Sequence, residues 1–338
     1  MSSLLLAGDI GGTSTRLGLF EVVGGKPRVV VRERYASREH PGLDAIVRLF
    51  RQAHGQAIVG ACFGVAGPVV GGQHVATPNL IWDVDASVIA RMLDQPQVGL
   101  INDLEANAHG IFTLEDNDLA VLNAGAAGAT GNVAVISAGT GLGEAGMYWD
   151  GAQHHPFAGE GGHCDYAPHA DLEMDLLRYL QGKFGEHVSW ERVLSGPGLA
   201  NIYAFLRDTG RGTEPDWLAA AIRTGDGPAV ISRAALEGKS ELCVKALDVF
   251  VAAYADEASN LALKLMALGG VYLGGGIAPR IVDKLKGPAF MEAFTAKGRL
   301  GPLLATIPVR VIMNDDTALL GAARCAALRA ALIQPVAP

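Results

Sequence analysis

Along the chain, apolar and polar positions alternate in blocks that read as strands separated by helices. Leu4 to Ile10 is a short, mostly apolar run, and after Gly11-Gly12-Thr13 the segment Arg16 to Val23 mixes apolar and polar positions at short period until Gly24-Gly25. Two strands joined by a glycine turn fit this pattern. Arg28 to Tyr35 predicts a third strand, and Leu43, Ile46, Val47 and Phe50 recur at helical spacing. Ala57 to Gly64 returns to strand, Val84 to Leu93 to helix, Val98 to Ile101 to strand, and Leu104 opens another helix.

A glycine- and alanine-rich stretch, Asn123 to Asn132, then reads as a surface loop where one lobe gives way to another. Beyond it the opening pattern starts again. Asn132 to Ser137 predicts a strand, Gly139 to Gly143 a glycine turn, and Glu144 to Trp149 a second strand ending at the hairpin signal Asp150-Gly151. This is a degenerate repeat of the N-terminal start. A mixed segment, about 160 to 240, interrupts the second copy before a long periodic helix, Glu241 to Leu268, stopped by Gly269-Gly270. Val271 to Pro279 follows as strand, turn and a helix with Pro279 at its first position. A strand at Val309 to Met313 and a helix at Thr317 to Leu332 finish an α/β chain.

Composition narrows the function classes. Glycine supplies 44 of 338 residues, close to double the roughly 7% of ordinary proteins, without the triplet period of collagen. With 49% hydrophobic residues the chain can build real cores, so these glycines serve particular turns. The net charge of −8 argues against binding nucleic acid through a general basic surface. The four cysteines lie far apart with no Cys-x-x-Cys, and no uncharged stretch resembles a membrane span, so the expectation is a reduced, cytoplasmic protein.

The glycine turns are the first chemistry. In Gly8-Asp9-Ile10-Gly11-Gly12-Thr13 bare backbone N–H groups can converge on a phosphate, Thr13 adds a hydroxyl, and Asp9 can hold Mg²⁺ directly or through water. An ordinary hairpin is the plain alternative. Gly139-Thr140-Gly141-Leu-Gly143 occupies the matching place in the second half, which favours a shared phosphate role. Asn102-Asp103 ends a strand and opens a helix, so Asp103 is either a general base or a helix cap. Glu160-Gly-Gly-His163 sets a carboxylate and an imidazole across two glycines, suiting vicinal hydroxyls or a solvated turn. Glu191 is either a first-turn acid in a helix capped by Ser189 or a second sugar-facing carboxylate.

Rival motifs fare worse. Gly141-x-Gly143-x-x-Gly146 matches the dinucleotide fingerprint in letters, but a strand pattern follows where a helix is required. Gly238-Lys-Ser240 looks like the end of a P-loop, yet Arg233 stands where its first glycine belongs. His154, His155, His163, Cys164 and His169 cluster without any standard zinc spacing, and no Gly-x-Ser-x-Gly elbow is present.

Taken together, GDIGGTSTRLGLF (8 to 20), LINDLEANAHGI (100 to 111), ISAGTGLGEAG (136 to 146), GEGGHCDYAP (159 to 168), HVSWERVLSGPGLANIY (187 to 203) and VYLGGGIAPRIV (271 to 282) resemble the bacterial glucokinase family, in order over nearly the whole chain. The resemblance implies a duplicated ribonuclease-H-like, actin-type fold with two lobes and the active site in the cleft between them. The small lobe would take residues 1–112 plus about 316–332, and the large lobe 113–315 with the helical insertion at about 160–240. It further implies ATP-dependent phosphorylation of glucose at the 6-hydroxyl, with Mg²⁺ and a homodimer.

By motif, Asp103 resembles the family's catalytic base. Asn102, Glu160, His163 and Glu191 resemble its sugar contacts, and Asn79 looks like a further cleft residue. Gly8 to Thr13 resembles the first phosphate motif, Gly139, Thr140 and Gly141 the second, and Gly274, Gly275 and Gly276 the adenosine motif. The chain departs from the related repressor-and-sugar-kinase group: Cys164 stands alone where that group carries Cys-x-Cys-Gly-x-x-Gly-Cys, and the first phosphate loop begins at residue 8 with no helix-turn-helix before it. Zinc and direct DNA binding lose support accordingly. A kinase for mannose, fructose or an N-acetylhexosamine, a non-catalytic sugar sensor on the same fold, and more distantly a dehydrogenase remain as alternatives.

Overall fold

The computed structural model describes residues 4–77 and 80–334. Contacts divide the chain into two units: one runs to Asp118 and takes in Gly146–Ala158 and the chain from Asn314, and the other holds Leu119–Ala145 and Gly159–Met313.

The first unit opens with β1 (Leu4–Ile10), β2 (Ser14–Val23) and β3 (Lys26–Ala36), then α1 (Leu43–Ala53) and β4 (Ile58–Val65). Three two-residue strands follow, β5 (Val69–Val70), β6 (His74–Val75) and β7 (Val84–Asp85), then α2 (Ala86–Leu93), β8 (Gly99–Asn102) and α3 (Asp103–Ile111). The main sheet has the order β3-β2-β1-β4-β8, antiparallel within β1 to β3 and parallel from β1 through β4 to β8. β1 is apolar except at Asp9, near its end, because both of its faces are covered. Leu4, Leu6 and Ile10 join the cluster under α1 that contains Ile46, Val47 and Phe50, whereas Leu5 and Ala7 face a second cluster built on Ala322, Ala323 and Ala326. Each large side chain so buried contributes roughly 1.5–3 kcal/mol. The sequence pattern ran Val84 to Leu93 together as one helix; in the structure Val84 and Asp85 pair with β6, and the Asp85 carboxylate caps α2 by accepting the Ser87 N–H at 2.7 Å.

The second unit has β9 (Leu119–Asn123), β10 (Val133–Ala138), β11 (Leu142–Trp149) and β12 (His154–Gly159), the last two reaching into the first unit. Its helices are α4 (Asp171–Phe184), α5 (Gly196–Asp208), α6 (Asp216–Thr224), α7 (Gly227–Leu236) and α8 (Glu241–Leu265). After β13 (Gly270–Gly274) come the short α9 (Val282–Leu285), α10 (Pro288–Thr295) and α11 (Gly301–Ala305), then β14 (Val309–Ile312); α12 (Thr317–Arg329) returns to the first unit. The sheet order β12-β11-β10-β13-β14-β9 reproduces that of the first sheet in its first five positions, with β9 added antiparallel at the edge. The repeat seen in the sequence is therefore a repeat of topology.

Three boundaries differ from the sequence expectation. The long helix stops at Leu265, because Met266 adopts the left-handed conformation (φ 47°) and its N–H turns back to Ala262 and Leu263, four residues before Gly270 opens β13. The helix expected at Pro279 is a single 3₁₀ turn, Ala278–Ile281, running into α9. Residues 113–118 and the hairpin tip 146–158 group with the first unit, not with 159–313. The His154 ring there lies 6.0 Å from that of Phe112 and 4.6 Å from that of Trp149.

Candidate active site

In the first unit the turn between β1 and β2 is braced from outside. The Gly11 N–H bonds the Ser14 carbonyl at 3.0 Å, and the Ser37 hydroxyl donates to the Gly11 carbonyl at 2.7 Å while its N–H reaches the Thr13 carbonyl at 3.1 Å. Gly12 and Thr13 stand at the accessible tip. Gly8 is glycine for another reason: a Cβ there would collide with Phe63 and lie 2.9 Å from both Ile10 Cδ1 and Leu17 Cδ2, so packing demands it. The Ile10 side chain is likewise core. Asp9 has a partner that sequence spacing did not announce. Arg16 grips its Oδ2 from Nε at 3.0 Å and Nη2 at 2.5 Å, so any cation here has the other carboxylate oxygen to use.

Asn102, not Asp103, caps α3. Its Oδ1 accepts the Leu104 N–H at 2.8 Å and the Glu105 N–H at 3.4 Å, and its Nδ2 donates to the Gly67 carbonyl at 3.1 Å. Asp103 is thereby the first helical residue, at the C-terminal edge of β8, with Oδ1 3.0 Å from the Leu104 nitrogen. α3 is held in place by its crossing with α12, where Gly110 lies against the Thr317 carbonyl and Gly321 against that of Ala106. Asn79 lies outside the described residues.

The second unit gathers the other glycine turns. Gly139 N–H closes onto the Gly141 carbonyl at 2.8 Å, and the Gly139 carbonyl accepts the Gly196 N–H, also at 2.8 Å. The nearest atom to a Cβ on Gly139 would be the Gly276 nitrogen at 3.9 Å, so the second phosphate turn and the 274–276 turn lie side by side. Gly275 has φ 78° and backs onto the Ala138 backbone, which only glycine allows, while a Cβ on Gly276 would meet open space. Tyr254 of α8 stitches the two strand ends together, its hydroxyl lying 3.3 Å from the Ile136 and Gly274 carbonyls and 3.4 Å from the Ala138 nitrogen. The Ser137 hydroxyl, beside Gly274, is buried without a hydrogen-bond partner among the described residues. Bare backbone at Gly276 and the exposed Thr140 hydroxyl are groups of the kind that can bind phosphate.

Glu191 belongs to the same cluster. It lies in a 3₁₀ turn, Trp190–Arg192, that Ser189 does not cap; the helix that follows begins at Gly196 and is capped by Ser195. The Glu191 carboxylate accepts the Leu142 N–H at 3.0 Å and stands 2.5 Å from where a Cβ on Gly141 would be. Glu160 precedes the 3₁₀ turn Gly161–His163 and His163 ends it, both side chains exposed, with the His163 N–H on the Glu160 carbonyl at 3.0 Å.

Of the five residues weighed for zinc, His169 is the one that converges with other metal-ligand types among the described residues, and its partners are Glu173 and Asp256. Lys297 already neutralises Asp256 at 3.3 Å, and Glu173 accepts the N–H groups of His169 and Ala170 as an α4 cap, so the group reads as an ion-pair cluster. The strand β11 following Gly141 removes the dinucleotide fingerprint.

The model of the glucokinase family matches residues 6–329. The chain belongs to the glucokinase family. A curated glucokinase of Nostoc sp. (strain PCC 7120 / SAG 25.82 / UTEX 2576) is 43% identical over 343 aligned positions, covering 96% of this chain and 99% of the relative. The crystal structure of the glucokinase of an Antarctic psychrotroph superposes with TM-score 0.82 at 31% identity, over 96% of this chain and 99% of that one. A Balamuthia mandrillaris glucokinase solved with glucose shares the fold at TM-score 0.80 and 21% identity, over 96% and 94%. The duplicated sheet order of this chain is thus that of a glucokinase, a two-lobed, actin-like kinase fold.

Proposed function

We propose that this glucokinase-family chain transfers the γ-phosphoryl group of ATP to the 6-hydroxyl of D-glucose. One observation carries the reading: within a single unit, a carboxylate of sugar-binding type, Glu191, is hydrogen-bonded to the glycine turn of phosphate-binding type at Leu142. An acceptor for hydroxyls and a cradle for phosphates are thus built as one piece, which phosphoryl transfer between sugar and nucleotide needs.

In this reading Glu160, His163, Glu191 and Asn102 hold the ring hydroxyls, with Asn79 a further contact. Asp103 accepts the proton of the 6-hydroxyl as that oxygen attacks phosphorus in line. Gly139 to Gly141 and Gly11 to Thr13 offer backbone N–H groups to the phosphates, and Gly274 to Gly276 leaves room for the adenosine. Asp9 keeps one oxygen for Mg²⁺, direct or through water, while Arg16 fixes the other. Bound Mg²⁺ supplies charge neutralisation along the phosphates. An acidic chain can run this chemistry because backbone dipoles, the metal and a few local cations balance the nucleotide.

The free cysteines fit work in the cytoplasm, and no helix among the described residues is long and apolar enough to cross a membrane. A homodimer is the proposed assembly, to be read by sedimentation. A coupled assay over a hexose panel and several phosphoryl donors tests the activity. Glucose with Mg-ATP should give the highest kcat/KM; preference for another hexose or donor overturns the substrate assignment, and no turnover with any pair overturns the kinase reading.

A further inference from the structure

Beneath the sugar loop lies a pair of acids that the proposed reaction does not use. Glu144 stands on β11 and Glu257 on α8, and they are 2% and 0% exposed. A Cβ on Gly161 would collide with Glu144 Oε2 and lie 2.6 Å from its carboxyl carbon, and one on Gly159 would lie 3.4 Å from the Glu144 carbonyl oxygen. The backbone on both sides of Glu160 therefore rests on one residue. Gly162 rests on the next residue but one, Leu142, whose N–H is the group Glu191 holds.

Glu257 is well partnered: Asn260 Nδ2 donates to its Oε2 at 2.9 Å and Lys264 Nζ to its Oε1 at 3.3 Å. Glu144 is not. Its Oε1 finds no hydrogen-bond partner among the described residues, and the Glu257 carboxyl is the charged group that acts on it most strongly. Two buried carboxylates so placed repel and each loses its hydration, whereas a single proton removes the repulsion. Burial first, and the Glu257 charge second, push Glu144 up to about 8, against the opposing pull of Lys264.

We infer that Glu144 is a positioning residue for the sugar loop: its buried carboxyl, against which the backbone of Gly161 packs, sets where Glu160 and His163 stand. The inference rests on the reading of Glu160 and His163 as sugar contacts. The charged groups that face Glu144 are Glu257 and Lys264 of α8, and the ionisable groups of the loop above it are Glu160 and His163, both exposed. Loss of the proton puts a second negative charge beside Glu257; the side chain then leaves the pair or draws in water, and the glycines resting on it move with it.

Glucose binding by calorimetry between about pH 6 and pH 9.5 tests this in the full chain, as wild type, Glu144→Gln and Glu144→Ala. Wild-type Kd should stay level to near pH 8 and weaken about tenfold by about pH 9, as the competent fraction falls. Glu144→Gln keeps the shape and cannot ionise, so its Kd should lack that alkaline rise while kcat at saturating glucose holds. Glu144→Ala should weaken glucose binding at every pH; if it fails to fold, the glutamine variant carries the test alone.

Thermal unfolding gives a readout independent of sugar. A carboxyl whose folded-state pKa is raised contributes stability that is full below its ordinary value of 4.5 and lost as pH rises through about 8. The Tm advantage of Glu144→Gln over wild type should therefore grow across that window. A glutamine variant with the wild-type alkaline profile in both binding and Tm, or an alanine variant with wild-type affinity throughout, overturns the inference alone. A wild-type chain that binds no glucose overturns the functional reading and this one with it.

Discussion

The Glu191 carboxylate accepts the backbone N–H of Leu142 at 3.0 Å, which fastens an acid of the Ser189–Val193 turn to the glycine turn at Gly139–Gly141. One oxygen, Oε2, is spent on that bond, so under the proposed function Oε1 is the one to face the sugar. The geometry also explains why residue 141 is glycine, since any Cβ would press on the same carboxylate.

Removing this link should disturb both substrates at once. Glu191→Ala leaves the Leu142 N–H without its acceptor, at a cost of about 1–3 kcal/mol, and releases the turn. KM for glucose and KM for ATP are both expected to rise. Glu160→Gln, whose side chain is exposed, should raise the glucose KM with the ATP KM near wild type. Steady-state kinetics with each substrate varied in turn separates the two patterns, and a Glu191→Ala enzyme altered in glucose KM alone would dissociate Glu191 from the phosphate turn.

Asp103→Asn keeps the shape at the start of α3 but cannot take a proton. A positioned base typically contributes ~10²–10⁴-fold, and kcat should fall by at least that much while calorimetry still detects glucose binding. Because Asn102 supplies the helix cap, stability should change little. Near wild-type turnover would remove Asp103 from the mechanism.

Gly321→Ala should destabilise the first unit although it adds one methyl group. Its Cβ would collide with the Ala106 carbonyl oxygen and lie 2.6 Å from the Gly110 nitrogen, forcing α3 and α12 apart. Overpacking of this kind costs about 1–3 kcal/mol, and displacing α3 displaces Asp103, so Tm and kcat should fall together. A variant with wild-type Tm would show that the crossing has slack.

Acid should weaken the same crossing. Burial first, and then the Arg324 guanidinium, hold His109 down to about 3; Arg324 Nη1 lies 3.2 Å from its Nδ1 and stacks on Phe112. The folded-state pKa lies below the ordinary imidazole value of 6.5, so this group's contribution is present above 6.5 and lost as pH falls towards 3, at up to about 1.4 kcal/mol per unit. Urea unfolding at a series of pH values should show that slope, reduced in His109→Gln. An unchanged slope in the variant would assign acid sensitivity elsewhere.

Legibility in the sequence followed how much of an element's environment is local. β1 was readable because burial of both faces leaves an apolar run, and α1 because one buried stripe repeats at helical spacing. β5 to β7 were not, since strands of two residues carry no period, and β9 was hidden because an edge strand of half-buried residues looks like loop. α4 to α7 blurred into one mixed segment. The helix stop fell at Met266 and not at Gly269 because a left-handed cap on a non-glycine residue leaves no mark in composition.

By itself the sequence determined the repeated strand, glycine turn and strand, the acids that ligands would need, and the family they resemble, because turns and acids are written in residue type. Tertiary structure alone decided who holds whom. Arg16 reaches Asp9 across a hairpin, Tyr254 reaches Gly274 from another element, Glu191 crosses 49 residues to Leu142, and Glu257 comes from α8 to act on Glu144. Such partners meet only when sheets and helices pack, and packing depends on the whole buried surface, not on the spacing of any one motif.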